Sequence, residues 1–219
     1  MKAYHAKNIR NIAIAGHGGR GKTTLAEAML HLANASERLG RVADGNSMLD
    51  YDAEERRRKI TVSTAVAPLE WANVKINIID TPGYFDFAGG VSEGMRAAEC
   101  ALIVLASGSG IDVGAEKAYK AAAKRGIAKM FAVTRCDAEN TDFFKTFDAL
   151  KAAYESKICP VVIPHYEHDK VSCYIDLSSG KAYEYTNGKA KEVPLPAGGR
   201  FGEMKDIFNE AVASADDAL

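Results

Sequence analysis

The sequence is short of cysteine and proline, has a single tryptophan, contains no long apolar run and carries no surplus of either charge. Its 219 residues include 4 cysteines and 6 prolines. Cys100, Cys136, Cys159 and Cys173 stand far apart and form no C-x-x-C pair. That spacing argues against a disulfide scaffold or a structural zinc site and fits a reducing cytosol. No apolar run approaches the roughly 20 residues that span a bilayer. Met1–Arg10 is polar and leads into a strand pattern rather than a secretory signal. With 28 Lys and Arg against 29 Asp and Glu, the chain as a whole has no pull toward nucleic acid or acidic lipid. A cytoplasmic, monomeric protein with neither a membrane nor a DNA partner is expected.

What is there is ordinary globular composition, 47% hydrophobic and 26% charged, with enough chain for one α/β domain and a small appendage. Short apolar runs alternate with helical patterns, the signature of a mainly parallel sheet covered by helices. The runs place strands near Ile9–Ala15, Val62–Leu69, Val74–Ile79, Ala101–Ala106 and Met130–Val133. Helical spacing marks Lys22–Arg38, Val91–Glu99, Gly114–Lys124 and Asp142–Ser156. Between residues 36 and 60 the pattern gives way to a long charged loop, of the kind that is usually functional. From about residue 160 the character changes. Val171–Leu177 and Lys181–Tyr185 alternate like strands, Ser178–Gly180 and Asn187-Gly188 read as turns, and a final amphipathic helix runs over Phe201–Ala213.

The most informative segment is Gly16-His17-Gly18-Gly19-Arg20-Gly21-Lys22-Thr23, a G-x-x-x-x-G-K-T octet followed by Thr24. It lies between a predicted strand and a predicted helix, the context in which glycine-rich backbone curls round a phosphate at a helix N-terminus. Lys22 is positioned for the terminal phosphates and the Thr23 hydroxyl for Mg2+. The strand Ile76–Ile79 then ends in Asp80-Thr81-Pro82-Gly83. An acid at that tip completes a magnesium shell, and Gly83 lets a backbone N–H approach a γ-phosphate. Thr61 closes the charged loop, and two readings stand for it: a magnesium ligand, or a threonine at a strand start. In Thr134-Arg135-Cys136-Asp137, the Asp137 carboxylate matches the donor pair of guanine, which adenine lacks. The Arg56–Lys59 run is either an RNA contact or a solvated charged face. His165 and His168, near Glu167 and Asp169, read as a polar loop rather than a metal site.

These motifs, in this order, resemble the translational GTPases. Gly16–Thr24, Arg58-Lys59-Ile60-Thr61, Asp80–Gly83 and Thr134–Asp137 carry the resemblance. Asp50-Tyr51-Asp52, Ala67–Trp71, Gly114–Lys117 and Asp142–Thr146 extend it toward the N-terminal part of elongation factor G and its paralogues. The resemblance implies a three-layer P-loop GTPase fold over residues 1–159 and, over 160–219, part of the small α+β insert of that factor. It implies Mg2+ as cofactor, GTP, GDP and the ribosome as partners, and hydrolysis that is slow without the ribosome. Lys22, Gly83 and Tyr84 would be catalytic. Residues 16–24, 80–83, 134, 135 and 137 would bind nucleotide, and Thr23, Thr61 and Asp80 would hold the metal.

Four departures bear on chemistry. The family's histidine after Gly83 is Tyr84 here, a phenol with a pKa of about 10 that can orient a water but not deprotonate it. Thr134 and Arg135 replace the usual Asn-Lys, so the amide that ties this motif to the phosphate loop is expected to be lost. Gly19 replaces an aspartate associated with a monovalent cation, and neighbouring Arg20 is expected to face solvent. Ser214-Ala215 lies in a helical run rather than at a strand exit, so the last strand and helix of the nucleotide domain are expected to be missing. A GTP- or GDP-binding regulatory or ribosome-protection paralogue is the alternative function. Asp137 argues against a P-loop ATPase.

Overall fold

The computed structural model describes residues 2–154, 158–168, 170–186 and 188–215. By contacts the chain divides into two units, Met1–Ala106 with Ile111–Thr134, and Ser107–Gly110 with Arg135–Leu219.

The first unit is built on five strands: β1 (Ile9–Gly16), β2 (Ala65–Trp71), β3 (Val74–Asp80), β4 (Cys100–Ala106) and β5 (Ala128–Thr134). Their order is β2-β3-β1-β4-β5. Only the β2–β3 pair is antiparallel. Strand β1 is therefore central, with β3 on one side and β4 on the other, and its carboxyl end opens at the point where the strand order reverses. Ligands of open α/β sheets bind there. The register sets Ile14 beside Asp80 and Gly16 beside Val104.

Alternation along β1 serves two faces. Ile14 joins Ala26 and Leu30 of α1 (Lys22–Leu32), together with Leu69 and Ile78, in one buried cluster. Ala13 points the other way, toward Gly94 of α3 (Ala88–Ala97), as does Ile79 of β3. Helix α4 (Val113–Lys124) packs with α3 and along β1, β4 and β5. A short α2 (Ala53–Arg58) completes the unit.

Several boundaries differ from the sequence expectation, α3 for one beginning at Ala88 rather than Val91, and two of them do so for a visible reason. Helix α1 stops at Leu32 rather than Arg38. Asn34 adopts φ 55°, and the amides of Ala35 and Asn34 turn back to the carbonyls of Leu30 and His31, the Schellman closure that left-handed Asn permits. Strand β2 starts at Ala65 rather than Val62 because the Val62 and Ser63 amides bond the Glu55 carboxylate instead of a neighbouring strand. The charged stretch contains α2, started by a capping box between Asp52 and Glu55.

The second unit contains α5 (Phe143–Tyr154), an antiparallel sheet of β6 (Val162–Glu167), β7 (Lys170–Asp176), β8 (Lys181–Thr186) and β9 (Lys189–Val193), and α6 (Phe201–Ala215). Ile163, Cys173, Ile175, Ala182 and Met204 are buried in it. Strands β6 and β9 give little sequence signal, because β6 follows Pro160 and contains Pro164, and β9 carries Lys189, Lys191 and Glu192 among its few residues. The Ser178–Gly180 turn is held by Asp176, whose Oδ1 accepts from the Ser178 amide at 2.8 Å. Ser214 and Ala215 lie within α6, as expected. Ser156 and Asn187, from the expected helix end and hairpin turn, lie outside the described residues. No described helix is long and apolar enough to cross a membrane.

Candidate active site

The octet connects β1 to α1 as a turn, with Gly21 at the helix N-cap in a left-handed conformation (φ 88°) that side chains disfavour. Lys22 is almost wholly buried. Its ammonium donates to the His17 carbonyl at 2.9 Å. Burial pushes the Lys22 pKa down, while Asp80 and Asp112 oppose the shift. Gly83 is pressed against this loop: a Cβ there would lie 2.2 Å from Lys22 Nζ and 2.8 Å from Gly18 Cα. Only glycine fits, so the turn after β3 and the phosphate loop are in direct register. The Tyr84 ring covers Gly18 on the same side, since a Cβ on Gly18 would sit 2.9 Å from Tyr84 Cζ. The His17 ring meets Phe85 edge-on at 5.7 Å, so its side chain packs as well.

Thr23, Thr61 and Asp80, the three expected metal ligands, come together in a buried row with a fourth member. Thr23 Oγ1 donates to Asp80 Oδ2 at 2.7 Å. Thr61 Oγ1 donates to Asp50 Oδ1 at 2.9 Å. The two hydroxyl oxygens are 3.0 Å apart. Each hydroxyl has one proton, so with both carboxylates ionised that contact brings lone pairs together. Asp80 Oδ1 and Asp50 Oδ2 are also buried without a partner. Burial pushes the Asp80 carboxyl up to about 7, against the Thr23 hydrogen bond and the Lys22 charge. Asp50 is raised for the same reason, opposed by Thr61. A row of hard oxygens short of positive charge fits a divalent cation such as Mg2+.

The loop that delivers Thr61 and Asp50 is organised by two carboxylates with no exposed surface. Glu27 of α1 accepts from Ser47 Oγ at 2.6 Å, the Met48 amide at 2.5 Å and the Leu49 amide at 3.2 Å. Glu55 accepts from the amides of Val62 and Ser63, each at 2.9 Å, and from that of Asp52 at 3.2 Å. The sequence reading misses both roles. The pairing of Asp52 with Glu55 three residues on is the available signal. Within α2, Glu54 takes Arg57 and Arg58 in ion pairs, and Arg56 Nε donates to the Asp50 carbonyl.

The sequence matches the family described as elongation factor Tu GTP binding domain over residues 7–212. The chain belongs to this translational GTPase family. It is 35% identical to the elongation factor G-like protein of Mycobacterium tuberculosis over 83% of its length, and 31% identical to elongation factor G of Granulibacter bethesdensis over its whole length. It covers 25% and 32% of those proteins. A crystal structure of a Thermus thermophilus protein superposes with a TM-score of 0.89 at 35% identity, over 96% of this chain and 32% of that one. The chain thus spans a quarter to a third of the length of the relatives it matches.

As a translational GTPase domain, the chain handles its unusual residues in specific ways. Arg20 is only partly exposed and is held by a partner rather than left free in solvent. Its Nε donates to Asp112 at 2.9 Å, and Asp112 also caps α4 by accepting from the Ala115 amide at 2.9 Å. Nor does Thr134 lose the tie to the phosphate loop, because its hydroxyl reaches the Arg20 carbonyl at 2.9 Å and the Leu105 carbonyl at 3.0 Å. Thr81 is buried, and its hydroxyl donates to the Ile14 carbonyl at 2.8 Å. Pro82 is buried beside it, and Thr24 lies in the first turn of α1. Gly16 ends β1 and Gly19 turns with φ 71°. Arg135, with φ 58°, and Asp137 stand at the start of the second unit, where Asp137 is exposed. His165 and Glu167 approach to 3.9 Å, while Asp169 lies outside the described residues.

Proposed function

We propose that this chain binds GTP and catalyses attack of water on its γ-phosphorus, releasing GDP and phosphate, as the GTPase domain of a ribosome-associated translocation factor of the elongation factor G type. The single observation that carries this reading is the buried Asp80–Thr23–Thr61–Asp50 row beside the glycine turn that holds Lys22. Thr23 and Thr61 would hold Mg2+, supported by Asp80. Bound there, the ion supplies charge neutralisation to the phosphates. The chain's own part is positioning. Lys22 exchanges the His17 carbonyl for phosphate oxygens, the Gly83 amide meets the γ-phosphate, and the Tyr84 hydroxyl orients the water. Asp137 accepts from the guanine base, and Arg135 lays a planar cation against it. Turnover is slow until the ribosome completes the arrangement.

Calorimetric titration with GDP, a non-hydrolysable GTP analogue and ADP, with Mg2+ and then with EDTA, tests the reading. Saturable binding of both guanine nucleotides, weakened by EDTA and absent for ADP, is the expected result. Equal binding of ADP would remove Asp137 as a guanine reader. A second reading, a nucleotide-binding regulatory or ribosome-protection paralogue with little hydrolysis, draws on the Tyr84 ring lying over Gly18. GTP turnover that ribosomes do not stimulate would favour it.

A further inference from the structure

A cavity of about 530 Å³ lies between α3 and α4, behind the turn that carries Gly83 and Tyr84. It is distinct from the buried Thr23–Asp80 row, none of whose members lines it. Its floor is apolar, formed by Val91 and Met95 from α3 and Ala118 and Ala121 from α4. Met95 and Ala118 belong to the buried core. Three cationic residues stand round it, Lys117, Lys124 and Arg125, and no acidic side chain lines it. None of the three forms an ion pair among the described residues. Lys117 instead places its ammonium 3.9 Å over the Phe85 ring, itself half exposed at the cavity edge.

The combination is selective. A volume within the roughly 300–1,000 Å³ of small-molecule sites calls for a compact ligand. The core-lined floor calls for an apolar body. Three cations without an ion-pair partner, and no carboxylate in the lining, call for a negative charge on that body. We infer that this cavity is a second ligand site, for a small amphipathic anion with an aromatic or aliphatic body and one carboxylate or sulfonate group.

Its position also links it to the first site. Gly83 and Tyr84 line the cavity on one side and press on Lys22 and Gly18 on the other. A ligand seated against the back of this turn changes the freedom of the residues that face the phosphate loop. The coupling rests on the nucleotide reading above; the ligand site does not. Coupling between two sites is reciprocal, so each ligand must alter the affinity of the other by the same factor.

The test uses 1-anilinonaphthalene-8-sulfonate, an aromatic body with one sulfonate, as probe. Fluorescence titration should show saturable one-to-one binding. Ala121→Trp, which fills the floor, and Lys124→Glu, at the exposed rim where folding is not at stake, should each weaken it by about tenfold, or 1.4 kcal/mol. Binding that both variants leave within about twofold, or that never saturates, overturns the site. Calorimetric GDP titration with and without saturating probe then decides the coupling. A matched change in the two affinities supports it, and independent binding overturns it while the site stands. If GDP does not bind at all, the nucleotide reading and the coupling fall together, and the variants still decide the site.

Discussion

The hydroxyl of Thr134, at the end of β5, reaches the carbonyl oxygen of Arg20 in the phosphate loop across 2.9 Å. An amide is the family's usual device for this link, and a hydroxyl of shorter reach makes it here. One proton serves two acceptors, because the Leu105 carbonyl lies at 3.0 Å. The link is therefore a single shared hydrogen bond that fixes the loop crest to the sheet.

Replacing Thr134 with valine keeps the shape and removes the proton. The expected outcome is a stability loss of about 1–2 kcal/mol, the range for a buried acceptor left unpaired. GDP affinity should fall with it, and Thr134→Ser should restore both. Denaturant unfolding and calorimetry on the three proteins check this. Unchanged GDP affinity in the valine variant would show that the loop crest needs no tether.

Asp112 serves Arg20 and the first turn of α4 at once. Asp112→Asn retains an oxygen for the Ala115 amide and gives up the charge. Asp112→Ala gives up both and should cost about 1–2 kcal/mol more than asparagine does, the usual value of a helix N-cap. Because the Arg20 pair is only partly exposed, at 26% and 11% for the two side chains, the asparagine variant should still lose some stability at low salt and less at high salt. Thermal unfolding at two ionic strengths separates the terms.

These tethers mark where sequence reasoning ends. The octet, the strand before it and the Asp80–Gly83 turn are local patterns, and each lies where the local pattern puts it. The end of α1 is less legible, because Asn34 competes there with a run of good helix formers. Helix α2 hides inside a charged stretch, where its capping box is the only local sign of it. Side-chain type alone misplaces Arg20 and Thr134, because their partners, Asp112 and the Arg20 carbonyl, are 92 and 114 residues away. Buried glutamates are the hardest case, since a carboxylate on a helix normally reads as surface.

Glu27 and Glu55 give that point a measurable form. Each carboxylate gathers three donors from the 47–63 segment. Glu27→Ala leaves those donors unpaired and should cost about 2–4 kcal/mol, as should Glu55→Ala. The damage should be local. Amide hydrogen exchange should quicken across residues 47–63 while β1, β3 and β4 stay protected. Uniformly faster exchange across the sheet would mean that the segment is part of the global core instead.

Cys136, one residue before Asp137, is 6% exposed, and its thiol is pushed up to about 11, by burial first and by the Asp137 charge second. Its nucleophilic form is the thiolate. At pH 8 only about one molecule in a thousand would carry it, and alkylation should quicken about tenfold per pH unit until the pKa is reached. Mass-spectrometric labelling at Cys136 between pH 7 and pH 10 follows this directly. Rapid labelling at pH 7 would show that the loop opens far more often than its packing implies.

Gly18 and Tyr84 offer the sharpest single contact. An added Cβ at Gly18 falls 2.9–3.1 Å from three atoms of the tyrosine ring, closer than carbon atoms pack. Gly18→Ala must therefore push the ring away or distort the phosphate loop. The two outcomes separate in a double-mutant cycle with Tyr84→Ala, which removes the ring. If the ring alone obstructs, Gly18→Ala should lower GDP affinity in the native background and have little effect in the Tyr84→Ala background, a coupling of about 1 kcal/mol or more. Additive effects would place the strain in the loop backbone and free Tyr84 from any part in shaping it. The same pair of proteins then bears on catalysis. If Tyr84 orients the water, Tyr84→Ala should slow GTP turnover without a matching loss of GDP affinity, whereas a ring that only covers Gly18 would leave turnover per bound GTP unchanged.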